Sequence, residues 1–198
     1  MLSTGKSNKI RQKKIEKVIF IDRDGVINED LIGDYIKTWK QFRFVPAALD
    51  AMQKLSKSGY AIVIISNQAG IGDGAYKKSA LDEITKKMLA RMRRSKVNIR
   101  GIYYCLHGKN DGCSCRKPEV GLFKRAAEKI GFVKKQTFFI GDKLSDVIAG
   151  KRFGLKTAFV LTGHGRYDVQ KLNGAAKPDL IGTDLMEVAN FLMAEKIE

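Results

Sequence analysis

A chain of 198 residues with 44% hydrophobic and 9% aromatic content is long enough to bury one substantial core, and its formal charge of +16 turns it toward anions. Its apolar runs, such as 18–21 and 61–65, are far shorter than the ~20 residues of a membrane span, and residues 1–17 lack the apolar segment of a secretory signal. A membrane-spanning or exported protein is therefore not expected, and phosphorylated metabolites and nucleic acid remain as anionic partners.

Residues 1–17 carry Lys6, Lys9, Arg11, Lys13, Lys14 and Lys17 against Glu16, which reads as a solvated basic tail; the apolar face of a mitochondrial transit peptide is missing. VIFI at 18–21 is a buried strand running straight into Asp22. Residues 28–45 form an extended excursion, a hairpin around Gly33-Asp34, holding the only tryptophan, Trp39. Pro46 opens a helix whose stripe is Ala47, Ala48, Met52 and Leu55 and which Gly59 ends. A second strand, 61–65, delivers Ser66 and Asn67. A basic amphipathic helix over 79–93 follows, with Leu81, Ile84, Met88 and Met92 facing the core. A short strand at 102–104 leads into the cysteines, and a helix runs from Gly121 to Lys129 before Gly131. Strand 137–140 delivers Gly141-Asp142, helix 144–153 stops at Gly154, and strand 157–160 and a helix over 185–195 complete the chain.

Near-continuous apolar strands alternating with helices indicate an α/β fold, a doubly wound parallel sheet covered on both faces. Ligands of such sheets bind beyond the carboxyl ends of the strands, where Asp22, Ser66 and Asp142 should converge. About 41 residues between Asp24 and Ser66 and about 50 between Ser66 and Lys117 leave no room for a large cap domain. Residues 18–198 thus read as a single domain.

Four segments carry chemistry. Asp22-x-Asp24 offers a nucleophile and an acid/base, Ser66-Asn67-Gln68 offers a hydroxyl and N–H groups to phosphate oxygens, and Lys117 of Arg116-Lys117-Pro118 offers a neutralising cation. Gly141-Asp142-x-x-x-Asp146 sets one acid at a strand end and a second one turn into a helix, so that Asp142 beside Asp22 suits magnesium. A fifth segment, Cys105-x-His107-x₅-Cys113-x-Cys115, gathers all three cysteines and matches a closed, structural Cys₃His zinc site in a loop over 105–115. An odd number of clustered thiols argues for a reducing, cytoplasmic setting. His164 lies in a glycine-rich turn and takes no role.

In this order, VIFIDRDGVIN, IISNQAGIG, CRKPEVGLF and FFIGDKLSDVIAG resemble the haloacid dehalogenase superfamily. The resemblance implies an aspartyl-phosphate formed on Asp22, with Asp24 protonating the leaving oxygen and later activating water. It also implies Mg²⁺ held by Asp22, Asp142 and the backbone carbonyl of Asp24, Ser66, Asn67 and Lys117 at the phosphoryl group, and Asp146 orienting its neighbours. The zinc loop narrows the likeness to the heptose bisphosphate and histidinol-phosphate phosphatases, where Arg116 would touch substrate beyond the transferred phosphate. The YYC-x-H stretch at 103–107 favours the heptose group, and with it removal of the 7-phosphate of a heptose 1,7-bisphosphate. Two departures stand out: Asp73 replaces an expected arginine in the turn after Gln68, and the His107–Cys113 stretch is shorter than that group's. The alternatives are a histidinol-phosphate or other small sugar-phosphate phosphatase, a polynucleotide 3′-phosphatase, which shares these motifs and suits a basic body, and a non-catalytic nucleic-acid-binding module.

Overall fold

In a computed structural model, residues 16–194 are described. The expected tail therefore falls almost wholly outside the described residues. β1 (Val18–Ile21), β2 (Ala61–Asn67), β3 (Ile99–Cys105), β4 (Phe138–Gly141), β5 (Lys156–Val160) and β6 (Leu180–Gly182) form one parallel sheet in the order β3-β2-β1-β4-β5-β6. The chain reverses direction of travel at β1 and β4, the switch point where α/β sheets open a crevice.

The strands alternate across the sheet as their two-residue period demands. Ile19, Ile21, Ile62, Ile64 and Ile140 meet α1 (Ala48–Lys57), α3 (Lys78–Arg94) and α7 (Leu185–Ala194) on one face. Val18, Phe20, Val63, Ile65 and Phe139 meet α4 (Gly121–Ala127) and α5 (Leu144–Phe153) on the other. Phe123 is central to that second layer, edge-on to Phe20 at 5.3 Å and to Phe139 at 5.0 Å. Burying each such side chain stabilises the fold by ~1.5–3 kcal/mol.

The helices end where their sequences say they should. Leu81, Ile84, Met88 and Met92 are the buried stripe of α3, and Gly154, at φ +84°, closes α5 in a conformation that a side chain would disfavour. Ala47 departs from expectation. It adopts φ +59° and is exposed, so α1 starts at Ala48 and its stripe is Ala48, Ala51, Met52 and Leu55. β2 continues two residues past its apolar run, because backbone pairing of Ser66 with Tyr104 and Asn67 with Cys105 carries it on. β6 and two four-residue helices, α2 (Ala69–Gly72) and α6 (Gly165–Asp168), were not expected.

The excursion over 28–45 is no regular hairpin. Its base is closed by Glu29 N to Arg43 O and Val45 N to Ile27 O, and Asp34 N bonds Leu31 O beside Gly33. Ile36, Phe42 and Val45 plug it into the core, and Trp39 stacks on Phe42 at 4.9 Å. Among the described residues no helix is long and apolar enough to cross a membrane, and no further layer of regular structure caps the strand ends.

Candidate active site

β1 runs into Asp22 and β4 into Asp142, and the two adjacent strands bring these acids together. Carboxylate oxygens of Asp22, Asp142 and Asp146 lie within 4.8 Å of one another, and all three residues are buried. The single ammonium of Lys117 enters this cluster, 2.9 Å from Asp22 Oδ1 and 2.6 Å from Asp146 Oδ1, and donates to Ile65 O at 3.1 Å. Burial alone would lower the lysine's pKa; Asp146 and Asp22 outweigh it and keep the group charged. Asp146 has two employments: Oδ2 accepts the Lys143 N–H at the start of α5, while Oδ1 faces Lys117.

Lys117 is aimed from both ends. Its backbone N–H donates to Asn67 Oδ1 at 3.0 Å and its carbonyl accepts from Asn67 Nδ2 at 3.1 Å. Asn67, expected beside the phosphoryl group, thus spends its amide on the lysine's main chain while still bordering the cavity. Ser66 is buried at the end of β2, its Oγ accepting from Gln68 Nε2 at 3.0 Å.

Asp24 stands apart from the three-acid cluster. Arg23 Nη2 contacts its two oxygens at 2.8 and 2.9 Å, and Asn28 Nδ2 and Gln68 Nε2 donate to it at 2.9 and 2.7 Å. Burial pushes this carboxyl up, but the Arg23 guanidinium with Asn28 brings it below the usual carboxylate range, so it rests ionised.

Asp142 is fully buried. Oδ2 accepts the backbone N–H of His164 at 2.8 Å, and Oδ1 has no hydrogen-bond partner among the described residues. Burial, seconded by Asp146 and Asp22, raises its pKa well above normal despite Lys143. Gly25, at φ +93°, and Gly163, at φ +53°, press onto Asp142: a Cβ would stand 2.0 Å from its Oδ2 at the first and 2.4 Å at the second. An acid cluster with an orphaned buried carboxylate oxygen is the donor set a hard divalent cation requires, so the residues fit magnesium.

The cluster opens into a cavity of about 500 Å³, bordered by Asp30, Tyr35, Lys109, Arg116, Lys143 and His164 among others. Arg116 Nη1 is buried there without a hydrogen-bond partner among the described residues. Asp30 receives Lys143 Nζ at 2.9 Å and lies 3.2 Å from His164 Nε2. His164, given no role from sequence, thus belongs to the site through its backbone and its ring. Arg23, Asn28 and Lys143 also escaped the sequence reading, although the DRDGVIN and GDKLSD stretches contain them, and Gln68 was read as part of a phosphate-facing segment rather than as a partner of Asp24.

The second cluster lies just before Arg116. The sulfurs of Cys105, Cys113 and Cys115 are 3.2–3.6 Å apart, and His107 Nδ1 is 3.6 Å from Cys105 Sγ and 3.3 Å from Cys115 Sγ. A tetrahedron with Zn–S of ~2.3 Å and Zn–N of ~2.0–2.1 Å has edges of about 3.8 and 3.6 Å, so the four donors are set for one tetrahedral ion. All three thiols are free, which leaves them available to it.

The chain matches the description HAD-hydrolase-like over residues 114–188. It is 34% identical over 177 residues to the D-glycero-beta-D-manno-heptose-1,7-bisphosphate 7-phosphatase of Pseudomonas putida, covering 89% of this chain and 99% of that one. It is 33% identical over 181 residues to the enzyme of the same name from Neisseria meningitidis, covering 90% and 96%. Among solved structures, the D,D-heptose 1,7-bisphosphate phosphatase of B. bronchiseptica complexed with magnesium and phosphate superposes with a TM-score of 0.85 at 30% identity, over 90% of this chain and 99% of that one. The chain belongs to the haloacid-dehalogenase-like hydrolases and is a phosphatase of the family that holds these heptose bisphosphate phosphatases.

Proposed function

We propose that this phosphatase removes the 7-phosphate of D-glycero-D-manno-heptose 1,7-bisphosphate, a step of cytoplasmic carbohydrate metabolism, through an aspartyl-phosphate on Asp22. The observation that carries the reading is the buried meeting of Asp22, Asp142 and Asp146 with one ammonium, Lys117, at the mouth of a cation-bordered cavity. The Asp22 carboxylate attacks phosphorus and the ester P–O bond breaks. Asp24 passes the departing oxygen a proton, carried in by a singly protonated phosphate ester. Asp24, held ionised by Arg23, then takes a proton from a water that attacks the phosphorus of the aspartyl-phosphate, and inorganic phosphate leaves with Asp22 regenerated. Lys117 and the Ser66 hydroxyl serve the phosphoryl oxygens, Asn67 and Asp146 keep Lys117 aimed, and Arg116 reaches the substrate beyond the transferred group. Asp22, Asp142 and the backbone carbonyl of Asp24 would hold Mg²⁺, which supplies positive charge to the transferring phosphoryl. Cys105, His107, Cys113 and Cys115 would hold a structural Zn²⁺. Residues 18–198 act as a single domain.

The test is magnesium-dependent phosphate release from the heptose bisphosphate, histidinol phosphate and a 3′-phosphorylated oligonucleotide, with Asp22→Asn as the blank. Preference for the heptose bisphosphate is expected; preference for the oligonucleotide would overturn the substrate assignment.

A further inference from the structure

The turn that follows β2 ties together two walls of the cavity that are distant in sequence. Asp73 Oδ1 accepts the backbone N–H of Lys109 at 3.0 Å, and Asp73 Oδ2 accepts the Tyr35 hydroxyl at 3.0 Å. Lys109 belongs to the cysteine loop and Tyr35 to the excursion, and both border the cavity. The preceding residue, Gly72, presses on the same loop so closely that a Cβ would stand 2.1 Å from Gly108 N. Lys109 Nζ lies 5.7 Å from the Tyr35 ring centroid, within range of the attraction between a cation and an aromatic face. The Lys109 N–H, with Tyr35 behind it, holds the Asp73 carboxyl below the usual range against slight burial. Asp73 bonds Lys109 and Tyr35 but neither Asp22 nor Lys117, so the turn acts on the outer half of the cavity rather than on the reacting atoms.

We propose that Asp73 is a positioning residue: it clamps the cysteine loop to the excursion, so that Lys109 and Arg116 are set to receive the second anionic group of a bisphosphate substrate. This rests on the sugar-bisphosphate reading above. An acid among cations is unexpected where an anion binds, but as a clamp it supplies two acceptors that a cation could not. Each is a solvent-exposed bond of modest worth, so the effect is a graded loss of affinity.

The experiment is steady-state kinetics on the heptose bisphosphate and on p-nitrophenyl phosphate, whose single phosphate occupies the inner site. Asp73→Ala is expected to raise KM for the bisphosphate about tenfold relative to that for p-nitrophenyl phosphate, with a smaller change in kcat. Asp73→Asn, which retains an acceptor for the Lys109 N–H, recovers most of the loss. Tyr35→Phe reproduces part of it and adds little to Asp73→Ala, as expected of partners in one network. A bisphosphate KM that Asp73→Ala leaves alone, or that Asp73→Arg lowers, would overturn the clamp, since the carboxylate would then be idle or an obstacle. A wild-type chain that hydrolyses p-nitrophenyl phosphate but not the bisphosphate removes the substrate reading and the clamp together, whereas normal bisphosphate turnover with unaltered Asp73→Ala kinetics removes the clamp alone.

Discussion

Replacing Asp142 by Asn should stabilise the metal-free protein and abolish its response to magnesium. With carboxylate oxygens of Asp142, Asp22 and Asp146 inside 4.8 Å of one another, each like-charge pair costs about 3.5 kcal/mol at an effective dielectric of ~20. Lys143, whose pKa is raised by Asp142 and Asp30 against its own burial, returns part of this for Asp142. Asn keeps an oxygen for the His164 N–H, so a net gain of about 2 kcal/mol remains, or roughly 4–8 °C in Tm for a chain of this size. The sign of the pH dependence is fixed by the direction of the shift. A carboxyl whose pKa is raised by folding contributes stability fully below its unfolded value and loses it as pH rises through the folded one. The advantage of Asn should therefore grow with pH and level off once Asp142 has ionised. Thermal melts in EDTA at pH 5 to 8, repeated in magnesium, measure it. Magnesium at a hundredfold over its Kd should add about 2.7 kcal/mol to the wild type and far less to the variant. A variant that melts below the wild type in EDTA at pH 8, or gains as much from magnesium, would refute the reasoning.

Asp22→Asn should lower phosphate release by at least about a thousandfold with an unaltered circular dichroism spectrum, because it removes the attacking oxygen's charge; residual turnover near wild type would exclude a covalent route through Asp22. Gly163→Ala must move either its backbone, at φ +53°, or Asp142. A loss of ~1–3 kcal/mol in denaturant titrations is expected, with weaker magnesium dependence. Elemental analysis should find about one zinc per chain, and Cys115→Ser should lose it and lower Tm alongside; full metal content in that variant would remove Cys115 from the ligand set. Phe123→Ala empties the contact between Phe20 and Phe139, at a cost of about 3–5 kcal/mol in chemical denaturation and no change in metal content.

The acids at strand ends were readable because a buried strand leaves a plain apolar run, and a polar residue at its end has one place to go. Asp22 and Asp142 announce themselves in this way. The partners of Asp24 did not, since Arg23, Asn28 and Gln68 converge only through the closing of loops. A backbone N–H, such as the one His164 gives Asp142, has no side-chain signature at all. Gly25 and Gly163 read as ordinary turn glycines until the fold sets both against one carboxylate. β6 escaped because three residues are too few to show a period, and β2 was cut short because Ser66 and Asn67 pair through their backbones. The cysteine cluster was legible in full, being local in sequence.

The grip of Asn67 on Lys117 has an evolutionary side. Because a strand residue grasps the lysine's main chain from both directions, the ammonium's position is independent of how many residues the loop before it contains. That loop is then an exchangeable part. It can change length between His107 and Cys113 or be redrawn to suit another substrate, while the reaction centre beneath it stays in place.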